Sequence, residues 1–165
     1  TKEDYITVGE ASYNMSNTTV TTCSGLFYDS GGPNSDYANN LTYTMTFYPQ
    51  TEGASIRVVF SEFNTESGYD YLYIYDGTST SATQIGRYDG TTSPGTVTAT
   101  NSAGALTFRF TSDQGVTAAG WVASVACVTL EHNTIIATAI RLITKIENGL
   151  SVTIRANGVH IAISS

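Results

Sequence analysis

Three carboxylates carry the most specific chemistry in the sequence: Glu66, Asp70 and Asp113. Each stands where a strand-like segment meets a turn. Glu66 ends Phe60-Ser61-Glu62-Phe63-Asn64-Thr65-Glu66, Asp70 opens Tyr69-Asp70-Tyr71-Leu72-Tyr73-Ile74-Tyr75-Asp76-Gly77, and Asp113 follows Phe110-Thr111-Ser112. If these strand ends meet on one rim, the three acids repel one another and need a cation. Oxygen-only ligands suit a hard ion, Ca²⁺ before Mg²⁺. The competing reading is that they are solvated turn residues, the usual state of Asp and Glu beside Gly.

Tyrosine makes a second pattern. Tyr69, Tyr71, Tyr73 and Tyr75 alternate with Asp70, Leu72, Ile74 and Asp76, so the two sets face opposite sides of one strand. Leu72 and Ile74 suit the core, which leaves a tyrosine row as a candidate contact face or as cross-strand packing. Catalytic patterns are missing. The sequence has no HExxH, GxSxG, P-loop or GxGxxG, and both histidines, His132 and His160, lie in the C-terminal part. Asn17-Thr18-Thr19 and Asn40-Leu41-Thr42 fit the glycosylation sequon, a frequent chance match in a Thr-rich chain.

The elements that must position these residues are strands. Period-2 alternation runs through Tyr43-Met45-Phe47, Ile56-Val58-Phe60, Leu72-Ile74 and Leu106-Phe108-Phe110. Turn signals such as Asp76-Gly77, Asp89-Gly90 and Ser93-Pro94-Gly95 separate them. Many short strands with no helical stretch indicate an all-β, two-sheet jelly-roll sandwich. Eleven tyrosines, six phenylalanines and one tryptophan in 165 residues supply its core and argue against disorder.

The composition divides the chain into a leader (1–22, expected to be extended), a β-sandwich (23–127) and a tail (128–165) that contains no aromatic residue. In the tail, 134–147 fits helical spacing and strand propensity about equally. After it, Asn157-Gly158 is a type I′ turn signal. It pairs Val152 with Ile163, Thr153 with Ala162, Ile154 with Ile161 and Arg155 with His160 in a terminal hairpin. The apolar residues from Ile135 to Ile163 need a partner: a neighbouring copy in a polymer, the body of the chain, or a domain outside this sequence.

Fourteen acids against seven bases give a net charge of −7, which argues against a nucleic-acid partner. No apolar run reaches the roughly 20 residues of a membrane-spanning helix, and no secretory signal is read at Thr1. Cys23 and Cys127 sit at the two composition boundaries. A disulfide there ties the ends of the central body and points to an oxidising compartment, whereas two buried free thiols are the alternative.

The stretch from Cys23 to Cys127 resembles a CUB domain, especially the form found in secreted bacterial proteins. The residues that carry the resemblance are Tyr28-Asp29-Ser30-Gly31-Gly32, Tyr37, Phe60-x-x-Phe63-x-x-Glu66 and Tyr69-Asp70-x-Leu72-x-Ile74-Tyr75-Asp76-Gly77. They continue through Leu106-x-Phe108-x-Phe110-x-Ser112-Asp113 and Gly120-Trp121-x-Ala123. The resemblance implies an extracellular jelly-roll sandwich mediating protein–protein or protein–glycan contact. It also implies a calcium ion held by Glu66, Asp70 and Asp113, with Tyr37 supporting the acids. Two departures stand out: two cysteines in place of the usual four, and a short segment between Glu66 and Asp70. The expected function is a non-enzymatic calcium-binding module for adhesion or assembly. The alternatives are a subunit of a self-assembling filament or matrix, and an accessory domain of a secreted hydrolase.

Overall fold

A computed structural model describes residues 10–129, together with the backbone of 152–156 and 159–163. Ten strands build two five-stranded sheets from the first of two compact units, residues 1–128. One sheet holds β1 (Ser12–Asn14), β3 (Ser24–Tyr28), β10 (Gly120–Val128), β5 (Ser55–Asn64) and β8 (Thr96–Thr98), in that order across it. The other holds β2 (Thr18–Thr22), β4 (Thr42–Pro49), β9 (Leu106–Thr111), β6 (Tyr71–Asp76) and β7 (Thr83–Tyr88). Consecutive strands alternate between sheets at several crossings, the mark of a jelly-roll sandwich.

Period-2 patterning explains which side chains meet between the sheets. Met45 and Phe47 of β4, Leu72 and Ile74 of β6, and Leu106, Phe108 and Phe110 of β9 all point inward and are buried. They face Phe27, Ile56, Val58, Trp121 and Ala123 of the first sheet, which are equally buried. Aromatic edges lock the two layers. Phe27 meets Phe47 and Phe108 with ring centroids 5.1 Å apart, and Trp121 meets Phe110 at 5.1 Å. Each such side chain contributes roughly 1.5–3 kcal/mol by burial, with about 0.5–1.5 kcal/mol more where the rings meet edge to face, as Phe27 meets Phe47 and Trp121 meets Phe110.

The sandwich reaches N-terminal of Cys23. β1 and β2, within the segment read from sequence as a leader, pair in parallel with β3 and β4. Met15, between them, is 1% exposed in the core. Short edge strands carry too few inward residues to show alternation, which is why this segment reads as featureless.

At Cys23 the chain passes from β2 in one sheet to β3 in the other. The Cys23–Cys127 disulfide spans 104 residues and ties that crossing to β10. Closing a loop of that length contributes on the order of 4–5 kcal/mol by restricting the unfolded chain. The free-thiol alternative is thereby excluded.

In the second compact unit, β11 (Val152–Ala156) and β12 (Val159–Ile163) form an antiparallel hairpin. Its register pairs Val152 with Ile163, Thr153 with Ala162, Ile154 with Ile161 and Arg155 with His160, as the Asn-Gly signal implies. The helix-or-strand question at 134–147 lies outside the described residues.

One buried acid helps to stitch the first sheet. Asp29, wholly buried after β3, accepts N–H bonds from Gly31 (2.7 Å) and Trp121 (3.2 Å). Gly120 must be glycine. Its φ is +69°, and a Cβ there would lie 2.0 Å from Asp29 Oδ2. Burial raises the Asp29 pKa from the ordinary 3.8 to about 6, and the Gly31 and Trp121 bonds only partly offset it. A raised carboxyl pKa means the native state binds the proton more tightly than the unfolded chain. Stability from this group is therefore lost as pH rises between about 4 and about 6. At Asp76 burial also pushes upward, but bonds from Thr100 and Asn101 outweigh it and hold the pKa below the ordinary value. Its contribution is lost in the other direction, as pH falls into the acid range. Urea unfolding of wild type and Asp29→Asn across pH 4–7 separates the two acids. The wild type should lose stability relative to the variant up to about pH 6 and then run parallel to it; a flat difference would refute the assignment.

Candidate metal centre

The β5–β6 connection is short and tightly bonded. The N–H of Asp70 returns to the carbonyl of Glu66 (3.1 Å), so the two acids lie on one tight turn. Thr65 fixes it from below. Its hydroxyl donates to the Asp70 carbonyl (3.0 Å) and accepts from Gly90 N–H (3.1 Å). Asp89 accepts the Gly68 N–H (2.7 Å) at the tip. The third acid, Asp113, comes from the β9–β10 connection immediately after the core strand ends.

Asp70 is 0% exposed, so both of its oxygens need donors. Oδ2 accepts the Tyr37 hydroxyl at 2.6 Å, and Oδ1 accepts the Asp113 N–H at 2.9 Å. The Tyr37 oxygen in turn accepts the Glu66 N–H at 2.9 Å. Tyr37 is 1% exposed and stands edge-on to Phe110, with centroids 4.9 Å apart. Burial, reinforced by its bond to Asp70, pushes the phenol pKa well above the usual tyrosine range. It stays a proton donor at any physiological pH.

Glu66 is half-buried and Asp113 exposed, and both are aimed by backbone donors. Val116 N–H reaches Glu66 Oε2 at 3.3 Å, and Gly115 N–H reaches Asp113 Oδ1 at 2.6 Å. A ligand oxygen from each of Glu66, Asp70 and Asp113 lies within 4.8 Å of the other two. Oxygens bound across one calcium ion are about 4.6–5.2 Å apart, so the cluster has the span such an ion requires. Gly115 closes over the acids: a Cβ there would lie 3.0 Å from Asp113 Oδ1 and 3.5 Å from Glu66 Oε2. The donor set is all oxygen, the acids are close enough to repel, and their orientation comes from neutral donors. These residues fit a hard divalent cation.

Asn39 is the residue that sequence reasoning missed. Its Nδ2 donates to the carbonyls of Gln114 (3.2 Å) and Gly115 (2.8 Å), strapping the loop that carries Asp113. Asn40, with φ at 59°, adds an N–H bond to the Asp113 carbonyl at 2.6 Å. Asn39 Oδ1 is buried and meets no donor among the described residues. The available signal was the Asn39-Asn40 pair two residues after Tyr37, since Asn tolerates left-handed backbone and caps turns.

The tyrosine row is shorter than its spacing suggests. Tyr71 and Tyr73 face outward from β6 and are half-buried, while Tyr69 precedes the strand and is 61% exposed. Tyr75 is 7% exposed. A register irregularity falls between Ile74 and Tyr75, and Tyr75 pairs with Thr107, which bonds Thr46 and Gly77 in a closed end of the sheet. Both sequon asparagines, Asn17 and Asn40, are exposed, and Asn17 Oδ1 accepts Thr44 N–H at 2.8 Å.

The sequence profile of the CUB domain family matches residues 16–125. Rat cubilin is 32% identical over 111 residues, which cover 61% of this chain and 3% of cubilin. The chain thus spans a small fraction of that relative's length. Among solved structures, the extracellular region of zebrafish Gpr126/Adgrg6 superposes with a TM-score of 0.59 at 25% identity, over 70% of this chain and 15% of the other. The MASP-1 CUB2 domain bound to Ca²⁺ gives 0.55 at 24% identity, over 67% of this chain and 98% of that domain, a likeness of fold.

Removing the Tyr37 hydroxyl leaves an oxygen of the buried Asp70 without a donor and Glu66 N–H without an acceptor. Tyr37→Phe should therefore cost about 1–3 kcal/mol in urea unfolding measured in EDTA. An unchanged midpoint would show that the phenol does not hold the acids.

Proposed function

Because the chain belongs to the CUB domain family, we propose that it is a non-enzymatic extracellular module whose protein contacts depend on calcium held by Glu66, Asp70 and Asp113. The observation that carries the calcium reading is the convergence of three carboxylates within 4.8 Å, each oriented by a neutral donor. When bound, calcium supplies the positive charge that cancels their repulsion. The residues do the rest. Glu66 and Asp70 bring the β5–β6 turn, Asp113 brings the β9–β10 loop, and Tyr37 holds Asp70 in place from the core side. A rim built this way stays ordered enough to present its loops to a partner.

Support for a non-enzymatic role comes from what the first compact unit contains. Its two cysteines are bonded to each other, and both histidines lie after Val128. Residues 1–128 contain no histidine of their own to act as base to a nucleophile. The disulfide supports an oxidising, extracellular setting. No helix among the described residues is long and apolar enough to cross a membrane.

Calcium should stabilise the fold by about 2.7 kcal/mol at a hundredfold excess over Kd, raising the melting temperature by roughly 5–10 °C. Asp70→Asn should abolish that rise. Glu66→Gln, at a less buried position, should reduce it while leaving the melting temperature in EDTA nearly unchanged. Equal wild-type melting in EDTA and in millimolar calcium would sink the assignment.

A further inference from the structure

The outer face of the β2-β4-β9-β6-β7 sheet carries a charge pattern unlike the rest of the domain. Among residues 10–129 the basic side chains are Arg57, Arg87 and Arg109. Two of the three stand on this face. Arg109 lies between the inward-facing Phe108 and Phe110, so it points outward. Tyr73, between inward Leu72 and Ile74, does the same. Arg87 is exposed and pairs directly with Tyr73. The registers align one transverse row across four strands: Thr44, Arg109, Tyr73, Arg87. The next row is Thr42, Thr111 and Tyr71.

Tyr73 is therefore flanked by an arginine on each neighbouring strand, on backbones about 10 Å apart. The platform is held in place. The Arg87 guanidinium lies 4.5 Å over the Tyr71 ring, and Tyr71 and Tyr73 pack with centroids 6.1 Å apart. The Tyr71 hydroxyl donates to the Gly68 carbonyl at 2.6 Å. Acids are scarce here. The five strands contain one, Asp76, and its carboxylate is taken by Thr100 and Asn101. The strands themselves thus offer an anion two cations and no free carboxylate, while Asp70 and Asp113 lie within two residues of the Tyr71–Thr111 row.

We propose that this face binds an acidic polysaccharide, independently of the calcium rim. The chemistry of the face selects that occupant. Arg87 and Arg109 offer planar forks for carboxylate or sulfate groups. Tyr73 offers a rigid ring between them for the apolar face of a sugar, and Thr42, Thr44 and Thr111 offer hydroxyls for sugar hydroxyls. A protein partner wants a desolvated apolar centre, and these two rows carry no aliphatic side chain.

Affinity electrophoresis of the full chain in EDTA and low salt tests this, with polygalacturonate as probe and dextran and polyglutamate as controls. Polygalacturonate should retard the protein, and neither control should. Arg109→Gln should weaken binding about tenfold, and the Arg87→Gln/Arg109→Gln double variant should remove it. Tyr73→Ser should weaken it further than the loss of hydroxyl-only positions such as Thr42→Val. Arg57→Gln removes the same charge from the opposite sheet, and it should bind as wild type does. Arg87 is exposed, so Arg87→Gln alone carries the test if the Arg109 variant misfolds. Equal weakening by Arg57→Gln would reduce the effect to net charge and overturn the proposal. So would absence of binding, or polyglutamate bound as tightly as polygalacturonate, which would make the partner an acidic protein.

Discussion

The buried carboxylate of Asp70 is the constraint on which the loop end of this domain depends. A charge removed from water needs a donor for every oxygen, and no local residue supplies both. The donors come from Tyr37, 33 residues upstream, and from the Asp113 backbone, 43 residues downstream. Satisfying one side chain thus fixes three connections at once: the segment after β3, the β5–β6 turn and the β9–β10 loop. The Tyr37 ring anchors the arrangement in the core against Phe110. The Asn39 strap then sets the remaining loop. An error in any of these contacts leaves a buried charge short of a partner, which costs far more than a lost surface contact.

That economy explains what could be read from the sequence. The convergence of Glu66, Asp70 and Asp113 is legible because each sits at a strand end and strand ends of a sandwich share a rim, whereas their reading as calcium ligands rests on the family resemblance. The inward residues of β4, β5, β6 and β9 were visible because period 2 is imposed by the pleat itself. The terminal hairpin was readable down to its register, since Asn157-Gly158 leaves one two-residue turn that fits. These are local rules with local signatures.

Where the reading fell short, the cause was tertiary. β1 and β2 pair in parallel through contacts with β3 and β4, and nothing in Ser12–Thr22 alternates strongly enough to announce it. Tyr75 obeys the alternation and still ends up buried, because an irregularity beside it and the Thr46–Thr107 pair close that end of the face. Asn39 looked like ordinary turn composition. Its importance lies in which carbonyls it reaches, 75 and 76 residues away, and no spacing rule contains that. In the sequence Asp29 is one residue of the Tyr28–Gly32 motif, and nothing there signals that its burial and the demand for glycine at 120 tie the end of β3 to β10.

The two sites proposed for the domain occupy different geometries for a physical reason. Carboxylates at strand ends can converge, because loops are free to turn their backbone N–H groups toward one point. Side chains on a sheet face cannot converge; the pleat spaces them about 7 Å along a strand and about 5 Å across strands. A loop end therefore suits a compact, highly charged ion, whereas a face suits an extended partner that meets separated groups in register. Three of the fourteen acids, Glu66, Asp70 and Asp113, gather where convergence is possible. Arg109 and Arg87 stand where the sheet holds them apart, with Tyr73 between. The disulfide ties the crossing from β2 to β3, where the chain changes sheet, covalently to β10. A partner of either proposed site would meet groups already placed by the two sheets, so little of the cost of association would fall on ordering the backbone.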